Sequence, residues 1–125
     1  MVYVKSYKEL IVWQKCIQLV KEIYILTSKF PPSEMYGLIS QMRRCVVSIA
    51  SNIAEGYGRN LIKEYIQFYS IAYGSALELE TQLIIAKELK YANINEYEKA
   101  DLLLQEVSRM LNAMRKSMKK LTARS

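Results

Sequence analysis

Apolar residues recur three and four apart along four separate stretches of this chain, and that rhythm restricts its fold more than any other feature. In the first stretch Leu10, Trp13, Ile17, Val20 and Tyr24 form one stripe. Cys16, Leu19, Ile23, Leu26 and Phe30 form a second. Ile39, Met42, Val46, Ile49 and Ile53 follow, then the strict alternation of Ile62, Tyr65, Tyr69, Ala72, Ala76, Leu79, Leu83 and Ala86. Ala100, Leu104, Val107, Leu111, Met114, Met118 and Leu121 close the series. Such spacing places each set on one face of a helix, whereas a half-buried strand would alternate with period two. Only 2 prolines and 4 glycines interrupt 125 residues, too few for the many turns of a sandwich or barrel. With 51% hydrophobic residues, one domain can build a core without metal or disulfide support.

Helix ends are written in the sequence between the stripes. Ser6 with Glu9 fits a capping box, and Phe30-Pro31-Pro32 stops the first helix. The second starts near Ser33-Glu34. Gly56 suits a left-handed C-cap, and Tyr57-Gly58-Arg59 the turn. Asn60 is a natural N-cap, and Asn95 with Glu98 gives a further capping signal. The chain 1–125 therefore reads as one all-α domain with helices over about 6–29, 33–55, 60–91 and 95–121. Short connections make it an up-down-up-down antiparallel four-helix bundle. Small residues at Ser48, Ala50, Ser51 and Ala54 admit a neighbouring helix. Gly74 inside the third helix costs about 1 kcal/mol relative to alanine, so close packing is expected around it. Two stripes on the first helix exceed what a monomeric bundle buries, which points to an oligomer.

The chemistry on offer is narrow. The absence of histidine removes Ser-His and Cys-His nucleophile pairs and histidine metal ligation. Glu78, Glu80 and Glu88 then lack the Glu-x-x-His partners that di-metal bundles use, so no metal, cofactor or enzyme activity is expected. Cys16 and Cys45 sit in apolar stretches as small buried hydrophobes of a reducing compartment. The start MVYVKSYKEL has no signal-peptide character and no apolar run has membrane-spanning length, so the expected location is the cytoplasm. Glu55-Gly56-Tyr57-Gly58-Arg59 lacks the strand and the Gly-Lys-Ser/Thr of a phosphate loop and reads as a helix end. Ten tyrosines, with Tyr65, Tyr69 and Tyr73 four apart, fit a semi-polar core or subunit interface better than a base-stacking platform. Net charge is +6, and after Glu106 only basic residues follow: Arg109, Arg115, Lys116, Lys119, Lys120 and Arg124. With Arg59 and Lys63 near the start of the third helix, these form a candidate phosphate-binding surface, read through backbone charge rather than bases. The competing reading is a favourably charged helix end in solvent.

Several motifs run together: Leu10-x-x-Trp13-x-Lys15, Phe30-Pro31-x-x-Glu34-x-Tyr36-Gly37-Leu38, and Gln41-x-Arg43-Arg44. They continue through Ser48-Ile49-x-x-Asn52-Ile53-Ala54-Glu55-Gly56-x-Gly58-Arg59, Ala72-x-Gly74-Ser75 and Glu78-x-Glu80. In these the chain resembles, over nearly its full length, the bacterial four-helix bundle proteins encoded in intervening sequences of 23S ribosomal RNA genes. Cys45 stands where alanine is more usual. The resemblance implies a homopentamer with a barrel-like shape. It extends to the accessory variability protein of diversity-generating retroelements, which associates with a reverse transcriptase and nucleic acid. It implies no enzyme activity. Arg43, Arg44, Ser48, Asn52, Glu55, Gly56, Gly58, Gly74, Ser75 and Glu78 fall in its motifs as structural residues; independently of the resemblance, Glu78 without a metal is expected to pair with an arginine such as Arg43 or Arg44. The resulting expectation is an oligomeric module that binds RNA or DNA backbone, accessory to a ribonucleoprotein or retroelement. A protein-interaction scaffold without a nucleic-acid role is the rival.

Overall fold

The computed structural model describes residues 6–124, so the first half of the N-terminal stretch inspected for a signal peptide lies outside it. Four helices carry the fold: α1 (Ile11–Thr27), α2 (Leu38–Tyr57), α3 (Ile62–Glu88) and α4 (Glu98–Arg124). Short 3-10 turns at Tyr7–Glu9, Pro32–Glu34 and Ile94–Tyr97 precede α1, α2 and α4. No strand occurs among the described residues. Each helix packs on its two neighbours, α1 on α2 and α4, α3 on α2 and α4. Contacts run antiparallel. Gly56 meets Phe68 while Cys45 meets Ser75, and Lys15 meets Glu106 while Lys29 meets Glu96. No helix among the described residues is long and apolar enough to cross a membrane.

The second apolar stripe of α1, with Val12, is the core stripe: Cys16, Leu19, Ile23, Leu26 and Phe30 are buried. The first stripe packs at its margin. Leu10, Trp13, Ile17 and Val20 are half-buried, and Tyr24 is exposed. The core sets of α2, α3 and α4 bury much as their spacing predicts, except that Ile62 and Leu121, at helix ends, are exposed.

Helix ends depart from expectation in instructive ways. Ser6 Oγ accepts from Lys8 N at 3.0 Å, but the turn it caps is 3-10, and Leu10 turns extended before α1 begins. α2 starts at Leu38 rather than Ser33, because Pro32–Glu34 closes its own turn. Glu34 then serves two elements. Its Oε1 accepts from Leu38 N at 3.3 Å and its Oε2 from the Tyr91 hydroxyl at 3.0 Å, which places a carboxylate at the α2 N-terminus. Asn60 does not cap α3; extended Leu61 holds that position without a side-chain bond. The capping box before α4 is Asn93 with Glu96, not Asn95 with Glu98.

The largest correction concerns Gly56, which is not a left-handed cap. It is buried within α2, no glycine in the described chain has positive φ, and the C-cap is Gly58 at φ −79°. A Cβ at Gly56 would stand 3.0 Å from Phe68 Cβ and 3.1 Å from Tyr69 Cε1. Close approach of α3, not turn geometry, requires the glycine there. The left-handed cap sits instead at Lys90, φ 60°, after α3. Tyr91 N bonds Ala86 O at 3.0 Å and Lys90 N bonds Lys87 O at 3.0 Å, the Schellman pattern. Around Gly74 the expected close packing is missing inside the chain, since nothing lies within 4 Å of where a Cβ would be.

Two substitutions therefore have opposite signs. Gly56→Ala is expected to lower stability by about 1 kcal/mol, overpacking outweighing the helix-propensity gain. Lys90→Gly is expected to raise it by roughly 0.5–1 kcal/mol, relieving a non-glycine left-handed residue. Urea denaturation midpoints read both; an unchanged or raised midpoint for Gly56→Ala contradicts the packing account.

Candidate nucleic-acid interface

The antiparallel order puts the α2–α3 connection and the end of α4 at the same end of the bundle. A cavity of about 400 Å³ lined by Asn60, Leu61, Ile62, Lys63 and Thr122 marks where they meet. Arg59, Lys63, Lys116, Lys119 and Lys120, far apart in sequence, thus share one end, and all are exposed. Lys116 and Lys120 lie one turn apart on the side of α4 facing away from Val107 and Leu111. Arg59 is partly engaged. Its guanidinium lies 4.5 Å above the Phe68 ring and 4.0 Å from the Glu55 carboxylate. Arg109 is exposed but stands roughly 20 Å back along α4 from Thr122.

Arg115 does not belong to the free surface. Its guanidinium lies 4.8 Å over Tyr73, and Nη2 donates to Asn112 Oδ1 at 2.9 Å. The Tyr65, Tyr69 and Tyr73 series is also occupied. Tyr69 is fully buried, in edge contact with Tyr65 at 4.5 Å, and burial pushes its phenol well above the ordinary value. Tyr73 carries Arg115. These rings are core and margin, as the semi-polar-core reading expects.

The motif residues gather on α2 and its seam with α3. Arg43 ties α2 to the end of α1: Nε donates to Thr27 Oγ1 at 2.9 Å, and the guanidinium lies 4.6 Å over Tyr24. Thr27, fully buried, donates its own hydroxyl hydrogen bond to Ile23 O at 2.7 Å. Arg43 thereby sits at a helix C-terminus, where a cation is favoured. The Ser48 and Ser75 hydroxyls share a bond at 3.3 Å, and Asn52 Nδ2 donates to Ser48 O at 2.8 Å. Cys45 Sγ donates to Ser75 O at 3.0 Å. The expected pairing of Glu78 with Arg43 or Arg44 does not form. Glu78 is exposed and accepts from Gln82 at 3.4 Å, while Arg43 is taken by Thr27 and Tyr24. Sequence reasoning misses Thr27 and Tyr24 because their approach to Arg43 depends on the α1–α2 crossing, which leaves no local pattern.

Burial pushes both thiols up, Cys16 to about 12 and Cys45 to about 12, the latter helped by the Glu78 carboxylate. No group of three or more Cys, Asp and Glu side chains clusters as metal ligands would among the described residues.

The family model described as 23S rRNA-intervening sequence protein matches residues 8–113. No curated protein matches the chain significantly. Among solved structures, the chain resembles a protein of unknown function from the S23 ribosomal protein family of Bacteroides thetaiotaomicron. The TM-score is 0.77 and the identity 22%, covering 85% of this chain and 96% of that one. At that identity the likeness concerns the fold.

The buried groups set two expected outcomes. At pH 8 both thiols should stay inert to a disulfide reagent in the native protein and react on denaturation, because burial pushes both up to about 12 and leaves little thiolate at that pH. Arg43→Leu should cost about 1–2 kcal/mol in urea denaturation, since it removes the bond to Thr27 and the stacking on Tyr24.

Proposed function

The chain belongs to the 23S rRNA-intervening sequence protein family, and from that premise we propose that it is a non-enzymatic homo-oligomer that holds nucleic-acid backbone on the basic end of its bundle. The observation that supports this is the convergence of Arg59, Lys63, Lys116, Lys119 and Lys120 from two distant parts of the sequence. Of these five only Arg59 has a salt bridge among the described residues, to Glu55 at 4.0 Å. The opposite end is differently composed: Lys29 is paired with Glu96 and Lys87 with Asp101. A family name that refers to ribosomal RNA agrees with a polyanionic partner.

Assembly strengthens the field. Five chains at +6 each, the number that the family resemblance implies, carry +30. Repeated patches about one axis hold a polyanion through many weak phosphate contacts rather than one strong site. No base-reading element accompanies the lysines, so recognition is by charge and shape. An associated protein, such as the reverse transcriptase implied by the retroelement relative, is compatible with this role.

Fluorescence anisotropy with a structured RNA and an unrelated single strand tests the reading. Affinity should fall steeply with salt for both. Replacing Lys63, Lys116, Lys119 and Lys120 with glutamine should flatten the slope of log K against log salt by ~0.7–0.9 for each phosphate no longer neutralised. Helicity should be unchanged. Arg115→Gln should act mainly on stability, through Tyr73. No binding at low salt favours the scaffold role, and binding insensitive to the fourfold change places the surface elsewhere.

A further inference from the structure

α3 is apolar on two sides. Its inner side buries Tyr69, Ala72, Ala76, Leu79, Leu83 and Ala86. On its outer side Ile71 and Ile85 remain 45% and 44% exposed, and with Glu78 they form a row seven residues apart. Gly74 adjoins that row and leaves a notch in it, with no atom of the chain close enough to need one. Apolar side chains set along one face of a helix ordinarily pack against an interior. Within the described chain only the inner side has one.

A second surface lies along α1 and α2. Two cavities of about 500 and 310 Å³ adjoin at Val47; Tyr24 and Met35 line the first, beside Arg44, and Ile17, Val20 and Ala54 the second. The charges of the two surfaces are opposite. Between Leu38 and Ala54, α2 carries only Arg43 and Arg44. Between Tyr65 and Ala86, α3 carries only Glu78 and Glu80. Arg44 and Glu78 are both exposed, and neither forms an ion pair among the described residues.

We propose that the outer row of α3 docks into the α1–α2 groove of a second copy, with Glu78 of one copy facing Arg44 of the other. The inference rests on the homo-oligomer reading above and deepens it by naming the two surfaces. Because groove and row are different patches of one chain, the contact is heterologous and repeats around an axis. Apolar side chains supply the burial, and the Arg44–Glu78 pair fixes register and rejects the reversed approach.

Light scattering coupled to size exclusion, across a protein dilution series, reads the contact. Arg44→Glu and Glu78→Arg, each alone, should raise the concentration needed for assembly ~10-fold or more, by setting like charges against each other. Circular dichroism should show unchanged helicity, both positions being exposed. Mixed together, the two variants should associate in alternation, although a ring of five then keeps one mismatched contact and closes less tightly than the wild type. The acidic groove of one fits the basic row of the other, and the two native surfaces left over also match. Compensation within a single chain cannot produce that result. If a charge reversal unfolds the chain, Ile71→Gln with Ile85→Gln weakens the same contact without it. Assembly unaffected by these changes, or a mixture that stays dissociated, overturns the named interface while leaving the oligomer intact. A monomeric wild-type chain overturns both, and assembly only on addition of a different protein overturns the choice of a second copy as occupant.

Discussion

The close approach of α2 and α3 is the contact on which the rest of the structure depends. Gly56 lets Phe68 and Tyr69 reach the backbone of α2, and Ser48 and Ser75 keep the helices near each other further along. The approach buries Tyr69 completely at its lower end and brings the Cys45 thiol to the Ser75 carbonyl higher up. A larger residue at Gly56 would meet Phe68 at its Cβ, which cannot swing aside as a chain tip can. Because α2 ends against α3 in this way, only Gly58–Leu61 separates them. That short connection places Arg59 and Lys63 beside the last turns of α4.

The ends of the bundle differ for the same topological reason. At one, the α1–α2 and α3–α4 connections are bound to each other: Glu34 accepts from Tyr91, Lys29 pairs with Glu96, and Phe30 packs on Tyr91 and Tyr97. Tyr97 also donates to Tyr91 O, which fixes the left-handed turn through Lys90. Charges there close the fold. At the other end Lys116, Lys119 and Lys120 of α4 form no salt bridge among the described residues. The macrodipole of α4 favours cations at that place, and the same lysines are what a polyanion would meet. The helix-end and phosphate-surface readings of this run are therefore compatible.

Periodicity makes the helices legible, because core burial follows the three-four spacing at every position of the α2 stripe and from Ala100 to Leu111 in α4. It ranks the α1 stripes less well. Spacing alone does not tell a core stripe from one at its margin, and the larger residues Trp13 and Tyr24 belong to the margin. Caps are the weak point. Gly56 resembles a helix end because glycine serves both turns and close approaches, and only the position of α3 separates the two. Lys90 carries no sign of a left-handed cap in the sequence, since its conformation is imposed by Tyr91 bonding back to Ala86. In the candidate site the basic run is visible as composition. The capture of Arg115 by Tyr73, like that of Arg43 by Thr27, depends on helix crossings that no local pattern records.

The two proposed surfaces are geometrically independent, and this bears on how they act together. The groove on α1–α2 and the row on α3 run along the sides of the bundle, whereas the lysines sit at an end. Lateral contacts about a rotation axis leave the ends uncovered and turn every copy the same way up. Each basic end then falls on one rim. Salt-screened attraction fades within about 10 Å at 0.1 M, so lysines scattered over separate monomers act alone, while lysines of adjoining copies on one rim reinforce each other along a bound strand. On this arrangement the apolar second side of α3, which gains nothing from burial inside one chain, is what turns six net charges per chain into a continuous surface.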